Sequence, residues 1–285
     1  MASERPRAKR VRPRSATRRA PSRSASRRAT SGRLLVVDVG NSETVVGVME
    51  GREVRHSWRL TSSRMTGDEA SLRAGELLSA AGLASAEFRG AVVCSVAPAL
   101  TPPWLDALAR RAAIPPLEVS AATVPHLAIR YHDRMSVGAD RIANAIAARA
   151  LYGTPAIVVD LGTATTFDCV SQQGAYLGGV IAPGMMTSAE ELFRRAARIA
   201  RVELRRPTHA LGRNTEEALQ AGVIWGTAGQ VDALVRRLAL EMKGTPHVIA
   251  TGGLANLIAP ECETINRVDE WLTLKGMALI WEDHA

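Results

Sequence analysis

Two stretches of this chain, 122 residues apart, follow one plan, and that repetition constrains the fold more than any other feature. Leu34-Leu35-Val36-Val37 is a short run of branched and apolar residues, the pattern of a buried strand. It ends at Asp38, is broken at Val39-Gly40-Asn41-Ser42, and resumes extended character over Thr44–Val48 before the turn signal Glu50-Gly51. Ala156-Ile157-Val158-Val159 likewise runs into Asp160, then Leu161-Gly162-Thr163-Ala164-Thr165-Thr166, then Phe167–Val170 and the turn Gln172-Gln173-Gly174. Superposed without a gap, Val36 falls on Val158, Val37 on Val159, Asp38 on Asp160, Gly40 on Gly162, Thr44 on Thr166 and Val48 on Val170. A period this long is not that of a solenoid. It predicts two related α/β domains, each opening with a strand, an Asp-x-Gly turn and a second strand.

Between and after the repeats, strands and helices alternate, as an α/β fold requires. Residues 52–60 and 91–96 read as strands. Residues 68–81 read as a helix stopped by Gly82, with Leu72, Leu77 and Leu78 on one side. A helix opens at Thr101-Pro102-Pro103 and runs to about Ala113, and another runs from Val137 to about Leu151, before Gly153. The expected division is a first domain over 34–152 and a second over 153–285.

The first 33 residues are a different polymer. Eleven arginines and one lysine against Glu4 give them a charge of +11, whereas the other 252 residues carry 24 basic and 27 acidic groups, a net of −3. With no aromatic residue and little to bury, this tail is expected to be disordered. It reads as a solvated extension, as an arm for nucleic acid or an anionic surface, or as a transit peptide. The near-neutral body excludes a nucleic-acid-binding surface by composition, so nucleic acid is expected only through residues 1–33. No apolar run approaches the ~20 residues of a membrane span. Cys94, Cys169 and Cys262 lie too far apart for a disulfide scaffold or a CxxC site, and there is no HExxH spacing.

The repeated turn is where the chemistry lies. A carboxylate at the end of a buried strand sits at the mouth of the sheet, where α/β folds bind ligands. The glycine two residues later lets the backbone approach a ligand closely. The amides and hydroxyls of Asn41, Ser42, Thr44, Thr163, Thr165 and Thr166 can donate to phosphate oxygens. Two such loops face to face could grip a nucleoside triphosphate, their aspartates holding its cation through oxygen ligands. A GxxxxGK[ST] phosphate loop is absent. A third element, the strand Thr245–Ala250 followed by Thr251-Gly252-Gly253, permits close approach of a flat or phosphorylated group. A fourth, Gly138-Ala139-Asp140-Arg141, places an acid and a base in the first turn of a helix: a general base beside a cationic anchor for an acidic substrate, or simply a helix start with a dipole-favoured charge.

Taken together, Asp38–Ser42, Gly138–Arg141, Asp160–Thr166, Gly178–Gly184, Gly212–Thr215 and Thr251–Gly253 occur in an order that resembles the type III pantothenate kinases. These form a branch of the actin/sugar kinase/Hsp70 superfamily, and the resemblance spans Leu34 to about Trp281. It implies two ribonuclease H-like (actin-like) domains with a nucleotide cleft between them. It implies transfer of the ATP γ-phosphate to the primary hydroxyl of pantothenate, the first step of coenzyme A synthesis. It also implies a cytoplasmic homodimer that uses Mg²⁺ and a monovalent cation, K⁺ or NH₄⁺. Carried over by residue, Asp38, Val39, Gly40, Asn41, Ser42, Glu43 and Thr44 form the first phosphate loop. Thr163 touches ATP, with Gly252 and Gly253 on its adenosine side. Asp160 binds the monovalent cation, and Asp140 is the catalytic base. Tyr131, Gly138, Ala139, Asp140, Arg141 and Thr215 hold pantothenate. Ser42 stands where the family has threonine, Tyr131-His132-Asp133-Arg134 replaces a stretch with Asn-Pro after the tyrosine, and residues 190–201 are unusually rich in arginine. Other readings are a kinase of the same fold for a sugar, acetate or polyphosphate, and a non-catalytic regulator using its tail on nucleic acid.

Overall fold

The computed structural model describes residues 32–84, 87–196 and 201–284. The reading of the basic tail therefore lies, but for its last two residues, outside the described residues, as does part of the arginine-rich segment. The first sheet contains β1 (Arg33–Val39), β2 (Glu43–Glu50), β3 (Glu53–Thr61), β4 (Phe88–Ser95) and β5 (Leu117–Glu118), in the order β3-β2-β1-β4-β5. The second contains β6 (Ala156–Leu161), β7 (Ala164–Val170), β8 (Tyr176–Pro183), β9 (His247–Thr251) and β10 (Arg267–Val268). Read from β8, its order is β8-β7-β6-β9-β10, the same topology. In each sheet the opening strand pairs antiparallel with the second and parallel with the fourth. The duplicated hairpin is thus the visible part of a duplicated domain.

The ungapped superposition is correct for the opening strands and one residue out for the second ones. Val39 pairs with Thr44, but Leu161 pairs with Thr165. The first turn is one residue longer, closing through Gly40 N–H to Glu43 C=O, while the second closes through Gly162 N–H to Ala164 C=O. Thr44 therefore matches Thr165, not Thr166, and both are buried.

Side chains alternate across each strand, and this alternation assigns the layers. Leu35, Val37 and Val39 face α1 (Gly67–Ala80) and α2 (Thr101–Ala109). Ile157, Val159 and Leu161 face a layer that includes α4 (Met185–Arg195), α5 (Thr215–Glu241) and α6 (Ala255–Ile258). Leu34, Val36, Ala156 and Val158 point the other way, into one shared core around α3 (Ala139–Leu151) and α7 (Leu272–Glu282). Helices α3 and α7 thus lie between the two sheets. By the same parity, Asp38 and Asp160 point into that central layer, at its open end.

Two helices differ from expectation. In α1, Thr66 and Glu69 form a capping box and the buried positions are Ala70, Ala74 and Leu78, whereas Leu72 is 67% exposed. The apolar stripe runs at i, i+4, i+8 through two alanines and Leu78, which leaves Leu72 off the buried face. Helix α2 ends at Ala109 rather than near Ala113. Helix α3 is as expected, with Asp140 and Arg141 in its first turn.

Candidate functional site

A cleft of about 560 Å³ opens where the two halves meet. Its walls come from the β1–β2 turn, the β6–β7 turn, the start of α3, the Thr251–Gly253 loop and the start of α7. The two turns touch: the Thr163 hydroxyl donates to Ser42 Oγ at 3.0 Å. Ser42 thus does with its hydroxyl what the expected threonine could have done. Behind this contact Thr187 Oγ1 donates to the Thr163 carbonyl at 2.7 Å, and Ser62 Oγ donates to the Gly40 carbonyl at 2.7 Å.

Three carboxylates from three elements, Asp38, Asp140 and Asp160, line this cleft. Burial, then the charges of Asp140 and Asp160, push the Asp38 carboxyl up to about 8. Burial and the charge of Asp140 push Asp160 to about 6, against the hydrogen bond from Asn144. Asp140 is also raised by burial, opposed by the backbone N–H and the positive charge of Arg141. Arg141 N–H donates to Asp140 Oδ1 at 2.7 Å, fixing the carboxylate at the helix N-terminus. Among the described residues no group of three or more His, Cys, Asp or Glu is placed to hold a metal on protein ligands alone. Half-buried, mutually repelling carboxylates nevertheless suit a hard cation that brings phosphate and water as its other ligands, as Mg²⁺ does on a triphosphate.

Asn144 is a site residue that the sequence analysis did not single out. It lies one turn after Asp140, so i, i+4 spacing puts both on one helix face. Its Nδ2 donates to Asp160 Oδ2 at 3.0 Å, and its Oδ1 accepts from Thr273 Oγ1 at 2.9 Å. A buried asparagine among the alanines of α3 was the available signal. Gly252 demands glycine, with φ at +91° and Asp160 Oδ1 only 2.5 Å from where a Cβ would sit.

Beside Asp140 lies a second group. Arg141 Nε donates to the fully buried Asp168 Oδ1 at 2.6 Å, Arg141 Nη2 donates to the Phe167 carbonyl at 3.3 Å, and Tyr176 OH donates to Asp168 Oδ1 at 3.0 Å. Burial opposes the Arg141 charge, and Asp168 overrides it. The Arg141 guanidinium lies 5.9 Å from the Tyr176 ring centroid, and the Tyr131 ring lies 6.4 Å from that of Tyr176 and packs on Gly178. The altered stretch after Tyr131 is a single 3₁₀ turn, Arg134–Ser136, capped by Asp133.

Of the residues singled out by sequence, the cleft brings together Asp38, Gly40, Asn41, Ser42, Glu43, Asp140, Asp160, Thr163, Gly252 and Gly253. Val39 and Thr44 are buried beside it with their side chains in the fold. Gly138, Ala139 and Arg141 belong to the start of α3, with Tyr131 exposed nearby. Thr215 begins α5 and does not line the cleft.

Comparison with known proteins decides what this cleft belongs to. The family described as type III pantothenate kinase matches residues 34–237. A type III pantothenate kinase of Moorella thermoacetica is 45% identical over 250 residues, 87% of this chain and 98% of its own. That of Geobacillus kaustophilus is 45% identical over 254 residues, 87% of this chain and 97% of its own. The chain belongs to the type III pantothenate kinase family. It is an ATP-dependent kinase of pantothenate, acting in coenzyme A biosynthesis. Two solved structures share its fold at low identity. A candidate Baf family transcriptional activator from Campylobacter jejuni aligns with TM-score 0.56 and 20% identity, over 88% of this chain and 98% of that one. The activator of a 2-hydroxyisocaproyl-CoA dehydratase from Clostridium difficile, with bound ADPNP, aligns with TM-score 0.52 and 13% identity, over 88% and 95%. The fold is therefore the two-domain actin-like one that the family resemblance implied, built on the two related α/β domains that the repeat predicted.

Proposed function

We propose a division of labour in this cleft for moving the γ-phosphoryl group of ATP to the primary hydroxyl of pantothenate. Asp140 accepts the hydroxyl proton as the new O–P bond forms and the bond to the β,γ-bridging oxygen breaks, giving 4′-phosphopantothenate and ADP. Its burial makes it a stronger proton acceptor than a surface carboxylate, opposed by the backbone N–H and the charge of Arg141. Asp38–Thr44 and Thr163 surround the phosphates, and Gly252 and Gly253 leave room for the adenosine side. Asp38 would hold Mg²⁺, which neutralises charge on the transferring oxygens when bound. Asp160, steadied by Asn144, would take K⁺ or NH₄⁺. Beside the cleft, Arg141, held by Asp168, would face the pantothenate carboxylate, with Gly138, Ala139, Tyr131 and Thr215, which also lie outside the cleft lining, as the remaining contacts. The Ser42–Thr163 contact joins the two turns that would surround the phosphates, and keeping the turns together would help to exclude water.

A homodimer, a cytoplasmic location, domain limits of 34–152 and 153–285, and a tail limited to polyanion contacts complete this reading. Among the described residues no helix is long and apolar enough to cross a membrane. The observation that carries the assignment is the convergence of three half-buried carboxylates from separate elements at the junction of duplicated sheets. The deciding experiment is mass-spectrometric detection of phosphopantothenate from purified protein, ATP, Mg²⁺ and K⁺. Sugar, acetate and polyphosphate serve as competing acceptors. Phosphorylation of one of these in preference to pantothenate would overturn it.

A further inference from the structure

The cleft has a charge problem. Asp38, Glu43, Asp140, Asp160, Glu190 and Glu270 line it, and its ligand is a polyanion. Among the described residues one basic side chain lines it, that of Arg59 on β3. Arg59 stands across the entrance, between the first phosphate turn and the glycine pair. Its Nη1 donates to Glu43 Oε2 at 3.3 Å and its Nη2 to Glu270 Oε1 at 3.1 Å. The guanidinium lies 5.7 Å from the Trp271 ring centroid, and Nη1 is 3.4 Å from where a Cβ on Gly253 would be. Its field reaches the floor of the cleft, lowering the pKa of both Asp38 and Asp160.

The two glutamates are weak partners. Both distances exceed those of close charge-assisted bonds, about 2.7–2.9 Å, and ion pairs exposed to water contribute little. A phosphate offers the same planar fork a stronger bidentate acceptor. Glu43 belongs to the first half of the chain and Glu270 to the second, so the trio spans the mouth and can open by exchanging partners.

We propose that Arg59 is the triphosphate anchor of this kinase, held across the cleft mouth by Glu43 and Glu270 until the nucleotide displaces them. This rests on the cleft being the nucleotide site, as proposed above. The test uses the full chain with Mg²⁺ and K⁺, comparing wild type, Arg59→Gln, Arg59→Lys and Glu270→Gln. Titration calorimetry gives the affinity for a non-hydrolysable ATP analogue, and steady-state kinetics give the KM for each substrate. Loss of the charged donor in Arg59→Gln weakens the analogue by about tenfold or more. The KM for ATP rises in step while that for pantothenate stays within about twofold. Arg59→Lys recovers part of the loss, because the charge remains without the fork. Glu270→Gln binds the analogue at least as tightly as wild type, since it removes a competitor. If Arg59 were only a strut, both Arg59→Gln and Glu270→Gln would weaken nucleotide binding, and that pattern overturns the proposal. So does an Arg59→Gln affinity within about twofold of wild type. Absence of phosphopantothenate from the wild-type enzyme, with Arg59→Gln still weakening the analogue, would sink the substrate assignment and leave the anchor standing.

Discussion

Asp140 shows how position, not residue type, makes a base: burial raises its pKa, and the Arg141 amide and charge hold it back. Asp140→Asn keeps the shape and the Arg141 amide contact, but its amide oxygen is too weakly basic to take the proton. It should lower kcat by about 10²–10⁴-fold with an unchanged melting temperature; a kcat near wild type would remove Asp140 from the role. Asp38 carries a cost that appears as stability. Its carboxyl titrates near 3.8 when unfolded and near 8 in the fold. Between those values the folded state keeps a proton that the unfolded chain has lost, so stability falls as pH rises through this window. The full penalty is present above about pH 8. Metal-free Asp38→Asn should therefore melt several degrees above wild type at alkaline pH, since ~1 kcal/mol corresponds to about 2–4 °C at this size. The gain should vanish towards pH 4, while activity is lost throughout. Calorimetry across pH checks this, and a gain independent of pH would mean that the carboxylate charge is not the cause.

At the scale of elements, the hairpins were legible because a buried strand ending in Asp-x-Gly is a local pattern. The one-residue difference between the two turns was not, because an ungapped match cannot show which Thr lies opposite Leu161. Of the three leucines read as one face of α1 only Leu72 was misplaced: Leu78 is buried and Leu77 packs on the core, with Ala70 and Ala74 completing the buried face. Asn144 was within reach through its i, i+4 relation to Asp140. The Arg59–Glu270 contact was not, since 211 residues separate the pair. Nor was the crossing of α3 and α7, since the sequence pattern was not read as a helix over residues 272–282. There Gly276 packs directly on the backbone of Ala143, and a Cβ would meet the Ala143 carbonyl. Gly276→Ala must push the helices apart, at about 1–3 kcal/mol for an overfilled contact. Since α3 carries Asp140 and α7 carries Thr273, the shift should also loosen the Thr273–Asn144–Asp160 chain. Urea unfolding and kcat should fall together. A loss of stability with unchanged kcat would show that the crossing supports the fold without tuning the site.

For the molecule as a whole, the last helix returns across the duplication: Leu274 packs on Gly47 and Trp281 on Gly90, both in the first sheet. Its Thr273 meanwhile joins the network around Asp160 of the second. The C-terminal segment therefore ties the halves together, whereas the N-terminal tail enters this account only as charge. Strand β1 begins at Arg33, whose guanidinium pairs with Glu50 at 3.1 Å, and every described group of the cleft lies after it. Residues 1–31 carry ten arginines and one lysine against Glu4. Removing them deletes a polyanion-binding charge without touching β1, so kcat/KM for pantothenate should match that of the full chain. Retention on heparin should drop sharply, and it should be the full-length form whose elution shifts with salt, because counterion release and screening govern such binding. The comparison is kcat/KM and elution salt for both forms. A several-fold fall in kcat/KM on truncation would place the tail in the active site or in a subunit contact.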